Sequence, residues 1–106
     1  MDINEKILKE LKNYLLQNIG EEIRDVILFG SRTNKTFTID SDYDVLIIVN
    51  KNYNNKYEEK IIDLCYDIDL KYDVIIDPHV LSTTELQTIR GKQPIFINAI
   101  NNGIYA

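Results

Sequence analysis

Cysteine is almost missing from this 106-residue chain, where Cys65 stands alone. That excludes an internal disulfide framework and fits a reducing compartment, so a cytoplasmic protein is expected. Cys65 lies in an apolar segment, which favours a small buried hydrophobe over a reactive thiol. Long apolar runs are missing as well. None approaches the ~18 residues of a membrane span, and residues 1–12 mix charge with Ile and Leu, unlike a leader peptide. Basic runs are also missing. The 12 Lys and Arg are scattered against 17 Asp and Glu, for a net charge of −5. A nucleic-acid backbone needs a dense positive footprint, so direct nucleic-acid binding is not expected. A nucleotide is another matter, because its phosphates can arrive as a metal complex that carboxylates bind. Neither Gly-x-Gly-x-x-Gly nor a Gly-Lys-Ser/Thr loop occurs, and no second His or Cys is spaced with His79 for zinc.

With 44% apolar residues the chain can bury one core, so residues 1–106 are read as a single domain. Ile3, Ile7, Leu8, Leu11, Tyr14, Leu15 and Ile19 recur at helical spacing, and Gly20 ends the pattern. Residues 24–29 read as a buried strand broken by Gly30-Ser31. Residues 33–41 read as a polar loop, and residues 43–49 as a second strand. The segment 57–70 favours a helix. Val74, Ile75 and Ile76 form the middle of a third strand, entered through Tyr72-Asp73, with Pro78 placing its far half at an edge or bulge. A helix between two apolar strands implies a right-handed crossover and a parallel pair. Ser82-Thr83-Thr84-Glu85 resembles a capping box that opens a short helix with Leu86 and Ile89, closed by Gly91. Pro94 opens a last helix with Ile95, Phe96, Ala99 and Ile100 buried, and Ile104-Tyr105 adds a short strand. The fold class is therefore α/β (α+β), a small mixed sheet with helices packed on it.

The chemistry gathers at the second strand. Asp42 and Asp44 precede an apolar run, share one face, and lie about 6.5–7 Å apart along the chain. That spacing suits two carboxylates gripping a pair of divalent ions roughly 3.5–4 Å apart. Two like charges on one face otherwise repel, although Arg32 is a possible basic partner that keeps a plain solvated strand end open. Gly30 allows close backbone approach, Ser31 offers a hydroxyl, and a helical turn starting there would aim N–H groups at an anion. A Gly-Ser pair alone is an ordinary turn; the aspartates give it weight. For a third carboxylate, Asp73 is preferred, at the start of its strand as Asp42 and Asp44 are of theirs. Asp77 would lie about 13 Å further along. Asp69 shares an Asp-x-Asp with Asp67, but on a helix, where such neighbours diverge. His79 reads as a surface or half-buried strand residue rather than a base.

Gly30-Ser31, ten intervening residues, then Asp42-x-Asp44 between apolar neighbours resembles the signature of nucleotidyltransferases related to DNA polymerase beta. The short length, Phe29-Gly30-Ser31-Arg32, and Asp40-Ser41-Asp42-Tyr43-Asp44-Val45 resemble the minimal nucleotidyltransferase (MNT) group, which includes antitoxins paired with HEPN toxins. The resemblance implies the polymerase beta-like fold. It implies Asp42, Asp44 and Asp73 as catalytic residues holding two Mg²⁺ ions, and Gly30, Ser31 and Arg32 on the nucleotide phosphates. The implied reaction carries a nucleoside monophosphate, AMP from ATP, to a hydroxyl. By the same likeness the acceptor is a tyrosine of a HEPN toxin, so the chain acts as an antitoxin. Asn34 and Lys35 stand where many members carry Arg and Gly, and Lys35 supplies part of that charge. No acceptor-recognition domain is read in these residues, so a partner is expected to supply the acceptor, in a homo- or hetero-oligomer. Two other readings remain: a catalytically silent nucleotide-binding or partner-masking module, and the nucleotide-binding subunit of a small-molecule transferase.

Overall fold

A computed structural model describes residues 3–30, 42–88, 90 and 92–106. The element order is α1 (Ile3–Asn18), β1 (Ile23–Phe29), β2 (Tyr43–Val49), α2 (Asn55–Tyr72), β3 (Ile76–Ser82), a 3₁₀ turn (Glu85–Gln87), α3 (Pro94–Asn102) and β4 (Ile104–Tyr105). The strands form one sheet in the order β3-β2-β1-β4. β1 pairs antiparallel with β2 and β4, and β2 pairs parallel with β3. The mixed sheet and the parallel crossover expected from the sequence are both present.

Strand alternation sends side chains to two layers. Tyr43, Val45, Ile47 and Val49 of β2 join Val26 and Leu28 of β1 on one face, under Ile7, Leu11 and Leu15 of α1 and Ile61, Leu64, Cys65 and Ile68 of α2. Leu46, Ile48, Ile27, Phe29 and Leu81 face the other way, under Phe96 and Ala99 of α3. β1 and β2 are buried on both faces, which is why they read as continuous apolar runs. Cys65 is buried as expected, and burial pushes its thiol up to about 12, which leaves it inert.

Helix ends follow local chemistry. The Asn54 side chain accepts from the Tyr57 N–H at 2.9 Å and opens α2. The capping box forms reciprocally: the Ser82 N–H donates to Glu85 Oε1, and the Glu85 N–H donates to Ser82 Oγ, both at 3.1 Å. It opens a 3₁₀ turn rather than an α-helix; Ile89 and Gly91, expected in that segment, lie outside the described residues. Pro94 stands in the first turn of α3. Pro78 is accommodated because β3 is an edge strand.

One boundary departs from expectation, and it decides the site. The sequence reads Tyr72-Asp73 as the entry to the third strand, but α2 runs on through Tyr72, and Glu10 of α1 accepts from both Lys71 and Tyr72. Asp73 then takes a left-handed conformation (φ 53, ψ 50), and its N–H donates to the Asp69 carbonyl. The Val74 N–H reaches the same carbonyl at 3.2 Å. The Asp69 carboxylate accepts from the Ile76 N–H at 2.9 Å, which pins the first residue of β3. Val74 and Ile75 are therefore connection, not strand. Burial, followed by the charge of Asp42, raises the Asp69 carboxyl above its ordinary range, while the Ile76 bond lowers it.

Two outcomes follow for stability. Asp69→Ala leaves the N–H of buried Ile76 without its acceptor and is expected to cost about 1–2 kcal/mol in urea unfolding. At Gly103, between α3 and β4, an added Cβ would run into the Ala99 carbonyl and the Ile27 side chain. Gly103→Ala should therefore cost about 1–3 kcal/mol in the same assay.

Candidate functional site

The site forms where the end of β1 meets the starts of β2 and β3. Parallel register places Asp44 beside Asp77 and Leu46 beside His79. Antiparallel register places Phe29 beside Asp44. The carboxylates of Asp44 and Asp77 and the His79 imidazole bring one ligating atom each to within 4.8 Å of one another. Asp44 is half-buried and Asp77 exposed. The His79 ring packs against Phe29 and Phe96, with centroids at 5.6 and 5.9 Å. Its Nε2 lies 3.4 Å from Asp77 Oδ2. Two aromatic rings thus set the imidazole, and the imidazole faces the carboxylate.

Asp44 carries the electrostatic strain of this cluster. Burial, then the charge of Asp77, raise its carboxyl above the ordinary range; His79 opposes this, and Asp42 and a hydrogen bond with Asp77 add to it. A carboxylate held this way is relieved by a proton or by a cation. The donors, two carboxylates with an imidazole beside them, fit a divalent ion held mainly through oxygen.

The sequence-predicted residues separate into three sets. Asp44 sits in the cluster. Asp42, exposed and two residues earlier, is close enough for its charge to raise both Asp44 and Asp69. Asp73 is not brought to them, because it caps α2 from an exposed position instead of opening β3. The residue facing Asp44 is Asp77, and the distance assigned to it from the sequence fails because β3 starts at Ile76. Ser31 and Arg32, with the connector 33–41, lie outside the described residues. Gly30 is described, and its backbone is left-handed at φ 78. A Cβ there would collide with the Asp44 carboxylate, so only glycine lets the turn lie against that side chain. His79 and Asp77 were underweighted in the sequence. The available signal was the alternation Asp77-Pro78-His79 ahead of buried Val80-Leu81, which parallels Asp42-Tyr43-Asp44 ahead of its own apolar run.

Tyr43 is buried, and its hydroxyl donates to the Asn4 side chain at 2.6 Å. Tyr72 is tied to Glu10. Both tyrosines are therefore occupied in packing and bonding. Among the described residues no helix is long and apolar enough to cross a membrane.

Comparison with known proteins places this geometry. A nucleotidyltransferase-domain family model matches residues 7–104. Two Methanocaldococcus jannaschii proteins are similar to the chain, the candidate protein adenylyltransferases MJ0141 and MJ0604. The first is 37% identical over 79 residues, covering 74% of this chain and 80% of that protein. The second is 37% identical over 78 residues, covering 74% of this chain and 73% of that protein. No solved structure matches the chain. Carboxylates paired across β2 and β3 behind a glycine turn, on a mixed sheet with helices on both faces, agree with a family match over nearly the whole length, and the chain belongs to the nucleotidyltransferase domain family, with the polymerase beta-like fold.

Proposed function

We propose that this domain transfers AMP from ATP to a hydroxyl of a partner protein, with Asp42, Asp44 and Asp77 holding Mg²⁺. The observation that carries the reading is Asp44 facing Asp77 across a parallel strand pair, beside the Gly30 turn. The names of the relatives, candidate protein adenylyltransferases, support a protein acceptor. The resemblance to antitoxins of the MNT group supports a tyrosine of a HEPN-type toxin as that acceptor.

The residues divide the work by position. Gly30, lacking a Cβ, lets its backbone lie against the Asp44 side chain. Ser31 and Arg32 are assigned to the phosphates by the family resemblance. Asp44 and Asp77 supply negative charge at one point, and Asp42 adds to it. His79, set by Phe29 and Phe96, holds Asp77 in place. Bound Mg²⁺ would supply charge neutralisation for the phosphates and for the attacking oxygen. In the reaction the acceptor oxygen bonds to the α-phosphorus and the bond to the bridging oxygen breaks. Pyrophosphate leaves with that electron pair, and the hydroxyl proton is released.

The carboxylates are separable by titration of ATP with Mg²⁺, followed by pyrophosphate release with the acceptor protein present. Asp77→Asn and Asp44→Asn are expected to lower transfer by about 100-fold or more. Asp73→Asn, at the exposed helix cap and outside the Asp44-Asp77-His79 cluster, should leave transfer within about twofold of wild type. The opposite pattern would return the third position to Asp73. No transfer by the wild type, with partner neutralisation intact in Asp42→Asn/Asp44→Asn, would make the domain a masking module.

A stability measurement tests the same site without activity. The Asp44 carboxyl is raised on folding, so its ionised form opposes folding. Stability is then fullest below the ordinary carboxylate range and falls as pH rises through the raised folded value. Without metal at pH 7, Asp44→Asn should melt at a higher temperature than wild type. The gap should close on acidification, and Mg²⁺ with ATP should raise the wild-type melting temperature but not that of the variant.

A further inference from the structure

The outer face of α2 carries apolar side chains that the fold does not use. Ile62, Tyr66 and Leu70, spaced by four residues, stack into one ridge, and they are 43%, 58% and 66% exposed. Ile75, in the connection to β3, is itself 62% exposed. Ile61, Leu64, Cys65 and Ile68 already bury the opposite side of the helix, so the ridge is not a misplaced core face.

Two observations say what covers it. The first is charge. At about 100° per residue, the helix sector of the ridge also holds the exposed Glu59 and Asp63, with Asp73 at the cap. Lys60 and Lys71 fall on a different side of α2, with Lys71 paired with Glu10, and Lys56 alone borders the sector, next to Asp63. A second copy of this chain, docked two-fold on the ridge, would set this acidic border against itself. The occupant that fits has an apolar centre and a rim of Lys and Arg. The second is continuity with the site. α2 ends at the sheet end that holds the carboxylates. Asp69 senses the charge of Asp42, the Ile75 carbonyl accepts from the Tyr43 N–H at 2.8 Å, and Ile75 stands two residues before Asp77.

We infer that the ridge Ile62-Tyr66-Leu70 is the docking surface for a basic-rimmed protein, placed so that this protein presents the acceptor hydroxyl to the carboxylates. The acceptor role rests on the reading in the preceding subsection; the docking surface does not.

The defined probes are two helical peptides, one of leucine and lysine and one of leucine and glutamate, titrated into the ¹⁵N-labelled chain. The lysine peptide is expected to shift the backbone amides of residues 59–75. Its affinity should fall about tenfold or more in Tyr66→Glu/Leu70→Glu, and the glutamate peptide should not bind. Both positions are exposed, and an unchanged amide spectrum outside α2 checks that the variant is folded. Equal binding of the two peptides, shifts elsewhere on the chain, or no binding overturns the proposal. So does a wild-type dimer in sedimentation that the double substitution dissolves. ATP with Mg²⁺ is titrated in parallel into both proteins. Peptide binding without nucleotide binding would leave the surface standing and remove the transferase reading. Nucleotide binding without peptide binding would do the reverse.

Discussion

The structure is organised by a repulsion. Asp44 and Asp77 are brought side by side by the parallel pairing of β2 and β3, in a place where burial already disfavours charge on Asp44. The sheet has no freedom to separate them. Val45, Leu46, Ile47, Ile48 and Val49 are buried, and slipping β2 by one residue would turn that set onto the wrong faces. The core thus holds the carboxylates together against their own electrostatics, and the apolar burial of the two strands supplies the force. In the proposed reaction a divalent cation would relieve that unfavourable charge.

The register that creates this pair depends on a short segment between α2 and β3. Asp69 does three jobs there: its carbonyl takes the N–H groups of Asp73 and Val74, and its carboxylate takes that of Ile76. Together they stop the helix, turn the chain through a left-handed residue, and start the strand at a defined position. Asp73 has the left-handed geometry that Asp tolerates better than most residues, and it ends the helix through its backbone N–H. Asp69 and Asp73, both candidates for metal, instead position the residue that faces Asp44.

The periodic elements were legible from the residues alone. Leu8, Leu11 and Leu15 announce α1, the runs before Phe29 and Val49 announce two buried strands, and Ser82 with Glu85 announces a cap. The Asp42-x-Asp44 pair also stood out, because like charges on one face repel, and it gave weight to a Gly30 turn that is ordinary on its own. The start of β3 was not legible. Val74-Ile75-Ile76 has the composition of a strand, yet only Ile76 is buried, and the difference comes from the Asp69 carboxylate and the Glu10 contact to α2. Such contacts are tertiary and leave no local pattern. His79 was obscure for a similar reason: its neighbours Phe29 and Phe96 lie far away in sequence and meet only through the sheet and α3.

Pro78 has a consequence at the edge of the sheet. β3 is the outer strand on its side, and at Pro78 its ladder lacks an N–H. The opposite edge, β4, is only two residues long. A strand from another molecule therefore finds one edge interrupted and the other too short to follow. The sheet resists extension by added strands, and with it the templated stacking that open edges invite.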